Sequence, residues 1–231
     1  MPVIFVASAN KHKIKEFREI LGDRFSILDA TSLTSVPNII EDGKTFHENA
    51  GKKAIGFALH VLKLHCSGHF RLPGFPVYFT ADDSGLEVDA LNGAPGVISA
   101  RFAASQNKES RDTDNNAKLL SLMKDVPIEK RTARFKCVIA VLKIKESDIQ
   151  SIQGIRPGDD LFSKLVFFEG VCEGRIGFEP RGDKGFGYDP LFYPAGYDKT
   201  FAELGKEIKC KISHRARALQ AFARWITEQN V

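Results

Sequence analysis

The chain has 231 residues, of which 43% are hydrophobic and 27% are charged, and its formal net charge is +4. This length and composition predict a globular protein with a core of ordinary size. The mild positive charge suits a protein that binds anions but is too small to indicate a nucleic-acid-binding protein. No apolar segment approaches the length of a membrane span, and the first apolar run is too short for a signal peptide.

The four cysteines are widely scattered, without C-x-x-C or zinc-site spacing. We therefore expect reduced thiols in a cytoplasmic protein without a membrane partner. The chain contains no internal repeat, low-complexity tract or obvious linker. These features predict a single domain over residues 1–231.

Residues 3–7 form a continuous apolar run, which predicts a buried strand. A polar loop with Ser8 and Asn10 follows, and then a helix whose apolar residues recur at helical spacing. A helix N-terminus in this arrangement can bind a phosphate, and Lys13 adds positive charge. Alternatively, Ser8 and Asn10 only cap the helix, and the local sequence does not decide between the two. The loop has neither a Walker nor a dinucleotide-binding pattern.

A second strand is predicted over residues 25–28, and a long helix with an apolar face over residues 45–64. The early part of this helix carries Glu48, Lys52 and Lys53, which would ordinarily form a solvated surface. A loop punctuated by Gly and Pro, residues 65–76, leads into the next strand.

That strand runs into two adjacent carboxylates, Asp82 and Asp83, followed by Ser84 and Gly85. Neighbouring side chains of a strand point to opposite faces, so both carboxylates serve one site only if the strand ends there. Gly85 permits such an ending. Paired carboxylates suit a hard cation or the activation of a water molecule. The alternative is a simple Asp-Asp-Ser-Gly turn.

A turn over residues 92–96 precedes a polar loop that reaches Asp112. A short helix is expected around residues 119–123, and a polar surface excursion over residues 145–163. The remaining strand candidates in this part are residues 131–144, 164–168 and 174–178.

A glycine-rich loop with two aromatic residues spans residues 181–190. Glycines let a backbone approach a ligand closely, and an exposed aromatic ring offers a stacking face. The last segment predicts an amphipathic helix with Ser213 as its N-cap. Lys209, His214 and Arg215 cluster at the positive end of that helix, where a bound anion would offset their mutual repulsion.

Six of these stretches, in order along nearly the whole chain, resemble the inosine/xanthosine triphosphate pyrophosphatase family, whose members hydrolyse non-standard purine nucleoside triphosphates. The first three are Ser8-x-Asn10-x-x-Lys13, Thr45-Phe46-x-Glu48-Asn49-Ala50-x-x-Lys53-Ala54 and Ala81-Asp82-Asp83-Ser84-Gly85-Leu86. The others are Gly93-Ala94-Pro95-Gly96 with Ser99-Ala100-Arg101, Gly185-Phe186-Gly187-Tyr188-Asp189-Pro190 and Ile212-Ser213-His214-Arg215.

The resemblance implies an α/β fold with an elongated, mixed, twisted sheet and flanking helices that form two lobes around a substrate cleft. It implies a homodimer and a Mg²⁺ requirement. It also implies hydrolysis of ITP, dITP and XTP to the monophosphate and pyrophosphate. The residue types agree with this chemistry, because a triphosphate needs positive charge around it before water can attack.

The resemblance also assigns roles by position. Asp83 is implied as the general base or a metal-linked carboxylate. The residues implied for the phosphates are Ser8, Asn10, Lys13, Lys53 and Ser84. The residues implied for the nucleoside are Phe186, Gly187, Tyr188, Asp189, Lys209, His214 and Arg215, the last two near the base.

One position departs from the family pattern. Most relatives carry two successive acidic residues before the Gly-x-Thr-Phe step, the first of them associated with the metal. The equivalent pair in this chain is Ile40-Glu41. We expect Glu41 to replace the missing carboxylate, because loops tolerate such changes better than strands do.

Two alternatives stay open. A Maf-like pyrophosphatase of modified standard nucleotides is disfavoured by the intact motifs at residues 186–189 and 213–215. A non-catalytic nucleotide-binding or RNA-binding module is disfavoured because the basicity is weak and no aromatic-basic RNA motif is present.

Overall fold

The computed structural model describes residues 1–104, 110–150 and 161–229. Part of the predicted excursion at 145–163 therefore lies outside the described residues. The strands are β1 (Val3–Val6), β2 (Ser26–Asp29), β3 (Val77–Val88), β4 (Thr132–Ile144), β5 (Val166–Ile176) and β6 (Phe192–Pro194). The α-helices are α1 (Lys11–Leu21), α2 (Phe46–Cys66), α3 (Asp112–Leu122), α4 (Phe201–Leu204), α5 (Lys206–Ile212) and α6 (His214–Glu228).

The six strands form one mixed sheet in the order β2-β1-β3-β4-β5-β6. β1 pairs in parallel with both β2 and β3, whereas β5 and β6 are antiparallel. The predicted α/β class with a mixed sheet and flanking helices is confirmed. The elongated outline and the cleft stay predictions.

The chain divides into two compact units, and one of the boundaries falls within β3, between Asp83 and Ser84. Unit 1 comprises Met1–Asp83, Val138–Phe168 and Leu219–Val231, and unit 2 comprises Ser84–Cys137 and Glu169–Ala218. That the two units together form a single domain stays a prediction.

Unit 1 is built around the fully buried strand β1, as its continuous apolar run predicts. The ring of Phe5 lies on that of Phe79 of β3 at 5.9 Å and meets the edge of Phe57 of α2 at 5.1 Å. α2 begins after Thr45, whose hydroxyl accepts a hydrogen bond from the Glu48 amide and caps the helix.

The core of unit 2 contains aromatic side chains of β4, β6 and α4. The Phe135 and Phe192 rings are 4.7 Å apart, and Phe192 stacks on Phe201 at 5.4 Å. Leu86 and Val88 of β3 belong to the same buried cluster. Burying such side chains supplies the main favourable free energy of folding.

The open question of whether β3 ends at Gly85 has a clear answer, because the strand continues to Val88. Two sequence expectations about the elements are wrong. The strands expected over residues 164–168 and 174–178 are a single strand, β5. α3 begins at Asp112, seven residues before the expected start of that helix at residue 119.

Gly170, in the middle of β5, is needed for close packing within unit 2. A Cβ atom at this position would lie 2.0 Å from the carbonyl oxygen of His214 and 2.7 Å from the amide of Ala218. Only glycine therefore lets the backbone of α6 pack this close to β5.

No helix among the described residues is both long enough and apolar enough to cross a membrane.

Candidate active site

The parallel register of β1 and β3 positions the first part of the candidate site in unit 1. Val6, the last residue of β1, pairs with Thr80. β3 continues past this point, so Asp82 lies just beyond the end of its pairing with β1. Lys13 lies in the first turn of α1, and its Nζ is 3.0 Å from Oδ1 of Asp82. The Asp82 side chain is only 2% exposed, so this ion pair is largely shielded from water.

The loop before α1 has the geometry of a helix cap. Oδ1 of Asn10 accepts hydrogen bonds from the amides of His12 at 2.9 Å and Lys13 at 3.3 Å. The Ser8 hydroxyl accepts one from the Asn10 amide at 3.1 Å. The capping alternative is therefore what the structure contains, and a phosphate contact by Ser8 and Asn10 stays a prediction. The cap fixes the start of the helix that carries Lys13.

Asp83 binds two side chains of α2. Its Oδ1 lies 3.4 Å from Nζ of Lys53, and its Oδ2 accepts a hydrogen bond of 3.1 Å from Nδ2 of Asn49. Nζ of Lys53 is also 3.1 Å from Oε2 of Glu41, in the loop before α2. Lys53 therefore links the carboxylates of Glu41 and Asp83. It does not belong to the solvated face of α2, unlike Glu48 and Lys52, which are exposed.

These five residues, Lys13, Glu41, Lys53, Asp82 and Asp83, form what we call the charge cluster. It contains three carboxylates and two ammonium groups. Burial raises the pKa of the Asp83 carboxyl, although the charges of Lys53 and Lys13 act in the opposite direction. Burial lowers the pKa of Lys53, but the charges of Asp83, Glu41 and Asp82 outweigh it, so that this pKa stands above its usual value. The raised pKa of Lys53 thus reflects the carboxylates around it, whereas the raised pKa of Asp83 reflects burial.

Asp82 and Asp83 both belong to the charge cluster, although neighbouring side chains of a strand point to opposite faces. We expected Asp82 and Asp83 to share a site only if β3 ended there. The strand continues, yet both carboxylates contribute to the electrostatic environment of Lys53. Lysines have long side chains, and α1 and α2 each send one of them to a different carboxylate.

In unit 2, the glycine-rich loop of residues 181–190 is held by Asp189. Oδ2 of Asp189 is 2.6 Å from Nζ of Lys209 and accepts a hydrogen bond of 2.9 Å from the Phe186 amide. The same Nζ lies 4.2 Å from the centre of the Phe186 ring. Gly185 has φ +84°, and a Cβ there would lie 2.2 Å from Oδ2 of Asp189, so this position requires glycine.

The first residues of α6 complete the candidate site of unit 2. Ser213 is its N-cap, as predicted, because its hydroxyl accepts a hydrogen bond of 3.2 Å from the Ala216 amide. His214 stacks on Phe135 at 4.8 Å, and Nη2 of Arg215 donates to the Ser84 hydroxyl at 3.2 Å. His214 and Arg215 are 5% and 2% exposed. Burying the charged guanidinium of Arg215 costs free energy, and its hydrogen bonds offset part of that cost.

The model of the Ham1 family matches residues 4–225 of this chain. The chain belongs to the Ham1 family. It is 42% identical over 222 residues to the dITP/XTP pyrophosphatase of Shouchella clausii, a match that covers 96% of this chain and 95% of the relative. It is 44% identical over 220 residues to the dITP/XTP pyrophosphatase of Desulfotalea psychrophila, with 95% and 82% covered.

Solved structures agree with this assignment to the Ham1 family. A HAM1 protein from Coxiella burnetii has a TM-score of 0.73 and 38% identity, and the match covers 99% of this chain and 100% of that one. The Ham1 protein of Staphylococcus aureus has a TM-score of 0.70 and 33% identity, with 98% and 99% covered. The family resemblance inferred from the six motifs is confirmed.

Sequence reasoning gave no role to three polar residues of this Ham1 chain that contact candidate site residues. Asn49 binds Asp83. The sequence offered one signal for this residue, because its polar amide lies on the same buried face of α2 as Phe46. Asp112 and Asn116 bind the backbone of Gly187. Their spacing of four residues puts them on one face of α3, but nothing in the local sequence names their partner.

Proposed function

We propose that this protein hydrolyses dITP, ITP and XTP to the nucleoside monophosphate and pyrophosphate, and so removes them from the nucleotide pool. The observation that carries the proposal is the charge cluster, a set of buried and partly buried carboxylates and lysines suited to a triphosphate and an attacking water. The names of the two pyrophosphatase relatives support the choice of substrate.

In the proposed reaction, the oxygen of a water molecule bonds to the α-phosphorus and the bond from that phosphorus to the bridging oxygen breaks. Pyrophosphate leaves, and the water proton passes to Asp83. The raised pKa of Asp83 suits a general base, which works best when its pKa is near the working pH. Asn49 holds Oδ2 of Asp83 in a fixed direction. Ser8, Asn10, Lys13, Lys53 and Ser84 are the proposed phosphate-binding residues.

The donor set of the charge cluster fits a divalent cation. No group of three or more His, Cys, Asp or Glu side chains that could hold a metal occurs in the part of the chain that the structure describes. Mg²⁺ needs no such group, because it is commonly bound by one or two carboxylates together with substrate phosphates and water. Glu41 and Asp83, which share Lys53, would hold it, and the ion would neutralise phosphate charge.

We assign recognition of the base to unit 2. Phe186 offers a ring for stacking, and Gly187, Tyr188 and Asp189 shape the loop that carries it. Lys209, His214 and Arg215 supply hydrogen-bond donors. Hypoxanthine and xanthine present an acceptor at O6, whereas adenine presents an amino group. A buried donor left without its acceptor can cost a factor of about 10⁴ in kcat/KM.

The decisive test is product analysis on a panel of triphosphates with Mg²⁺. We expect dITP, ITP and XTP to give the monophosphate and pyrophosphate far faster than ATP or GTP react. Formation of a diphosphate and orthophosphate, or equal rates on ATP, would refute the proposal. Turnover restricted to modified standard nucleotides would favour the Maf-like alternative, and binding without turnover the non-catalytic one.

A second prediction concerns the departure at Ile40. Ile40 is 71% exposed as a residue, whereas Glu41 carries the carboxylate that reaches Lys53. Glu41→Gln should raise the Mg²⁺ concentration for half-maximal activity about tenfold. Nucleotide affinity measured without metal should stay the same. Asp42→Asn is the matched control, because Asp42 pairs with the exposed Lys52. An unchanged Mg²⁺ requirement would make Glu41 a structural residue of the loop.

The proposal also includes a homodimer and a cytoplasmic location. The homodimer rests on the family resemblance, and the cytoplasmic location rests on the four scattered cysteines.

A further inference from the structure

Two side chains of α3 bind the backbone of one residue of the glycine-rich loop, Gly187. Oδ2 of Asp112 accepts a hydrogen bond of 2.6 Å from the Gly187 amide. Nδ2 of Asn116 donates one of 3.1 Å to the Gly187 carbonyl oxygen. Asp112 and Asn116 are four residues apart and so lie one above the other on one helix face. Both backbone polar groups of Gly187 are therefore fixed by the same helix, 75 and 71 residues earlier in the chain.

The environment of Asn116 indicates that its side chain serves to hold Gly187. The residue is 7% exposed, and its Oδ1 is buried without a hydrogen-bond partner among the described residues. A buried acceptor without a donor is unfavourable. The orientation of the Asn116 side-chain amide is nevertheless fixed, because only its Nδ2 group can donate a hydrogen bond to the Gly187 carbonyl oxygen. The side chain therefore keeps its hydrogen bond to Gly187 and leaves Oδ1 without one.

The residues on either side of Gly187 are those assigned to the base. Phe186 carries the ring next to Nζ of Lys209, and Tyr188 donates its hydroxyl to the Ser99 carbonyl at 2.9 Å. Burial, and after it the charge of Asp112, raises the pKa of Tyr188. The Asp112 carboxylate thus influences Tyr188 as well as Gly187. The Gly187 amide belongs to the peptide group that joins Gly187 to Phe186, so a shift of the Gly187 backbone would move the Phe186 ring.

We propose that Asp112 and Asn116 are positioning residues for base recognition: together they hold the backbone N–H and C=O of Gly187 and thereby set the place of the Phe186 ring. This inference rests on the proposed function, because it assumes that Phe186 stacks on the base. Neither Asp112 nor Asn116 is proposed to contact the base. Their effect on the reaction passes through the loop.

The test compares Asp112→Ala and Asn116→Ala with the wild type, using dITP as substrate and tripolyphosphate, which has no base, as a competitive inhibitor. We expect KM for dITP to rise about tenfold in each variant, the loss from one well-placed hydrogen bond. The value of kcat should change little, because stacking on the base contributes about equally before and during the reaction. The inhibition constant of tripolyphosphate should not change.

Matched variants separate positioning from general damage. Asp114→Ala removes an acid from the same helical turn that pairs only with Arg111 in the described contacts, and it should behave like the wild type. Asp112→Asn keeps an acceptor for the Gly187 amide and should restore most of the dITP affinity. Asn116→Asp sets a carboxylate against the Gly187 carbonyl and should weaken dITP binding at least as much as alanine does.

Unchanged KM values in both alanine variants, or equal losses for dITP and tripolyphosphate, would overturn the inference. If an alanine variant does not fold, the contrast between Asp112→Asn and Asn116→Asp decides by the same KM criterion. A wild-type protein that neither binds nor hydrolyses dITP would instead refute the proposed function, and the inference with it.

Discussion

Asp83→Asn should lower kcat for dITP by about 10³-fold, the range typical of a lost general base. The substitution keeps the size of the side chain and removes the carboxylate that would take the water proton. Lys53 keeps Glu41 as a partner, so the fold should survive. The measurement is kcat at saturating dITP and Mg²⁺, together with a thermal unfolding curve of each protein.

Asp82→Asn is the control for this prediction, because it removes a neighbouring carboxylate of the same strand. Asp82 pairs with Lys13 and is 3% exposed as a residue, compared with 7% for Asp83. We expect the Asp82 variant to lose less kcat. A near-normal kcat for Asp83→Asn would show that another group activates the water, and a larger loss for Asp82→Asn would exchange the two roles.

The sequence was most informative where local physical chemistry determines the structure. The apolar run of β1 predicts a buried strand, and Ser213 predicts a helix start through its hydroxyl group. Each of these signals acts within a few residues, so the pattern and its structural consequence are close together in the chain.

The errors arose where distant parts of the chain override local preference. Asp82-Asp83-Ser84-Gly85 favours a turn locally, but pairing within the sheet keeps β3 extended through it. Gly170 lies in the middle of β5, where glycine ordinarily weakens a strand, yet its missing side chain makes room for the backbone of α6. Neither outcome can be deduced without the packing partner.

The candidate site divides in the same way. The six motifs supplied Asp83, Lys53 and the loop around Phe186, and one of them includes Asn49, but they did not show which side chains hold which. Asn49 is 34 residues from Asp83 in sequence, and Asp112 is 75 from Gly187. Such supporting contacts depend on tertiary geometry, and no local pattern encodes them.

The largest effect on stability is expected for Lys53→Met. Methionine replaces the apolar stem of the lysine but leaves three carboxylates with Lys13 as the only remaining ammonium group of the charge cluster. The Lys53 and Asp83 side chains are 12% and 10% exposed, so water screens the remaining repulsion poorly. Removing one partner of a buried pair typically costs about 3 kcal/mol, and we expect a loss of that size in the free energy of unfolding, measured by urea titration without metal.

Lys52→Met is the matched control, because Lys52 is the adjacent residue of α2 and pairs with Asp42 at the exposed surface. It should leave the stability unchanged, since exposed ion pairs contribute little. The double variant Lys53→Met/Asp83→Asn should recover part of the lost stability, because it removes one of the repelling carboxylates, yet it should stay inactive. Added Mg²⁺ should stabilise Lys53→Met more than the wild type, because the ion can neutralise the carboxylates that lysine no longer pairs. Equal stability of Lys53→Met and the wild type without metal would mean that the carboxylates take up protons or water instead, and that Lys53 serves the substrate alone.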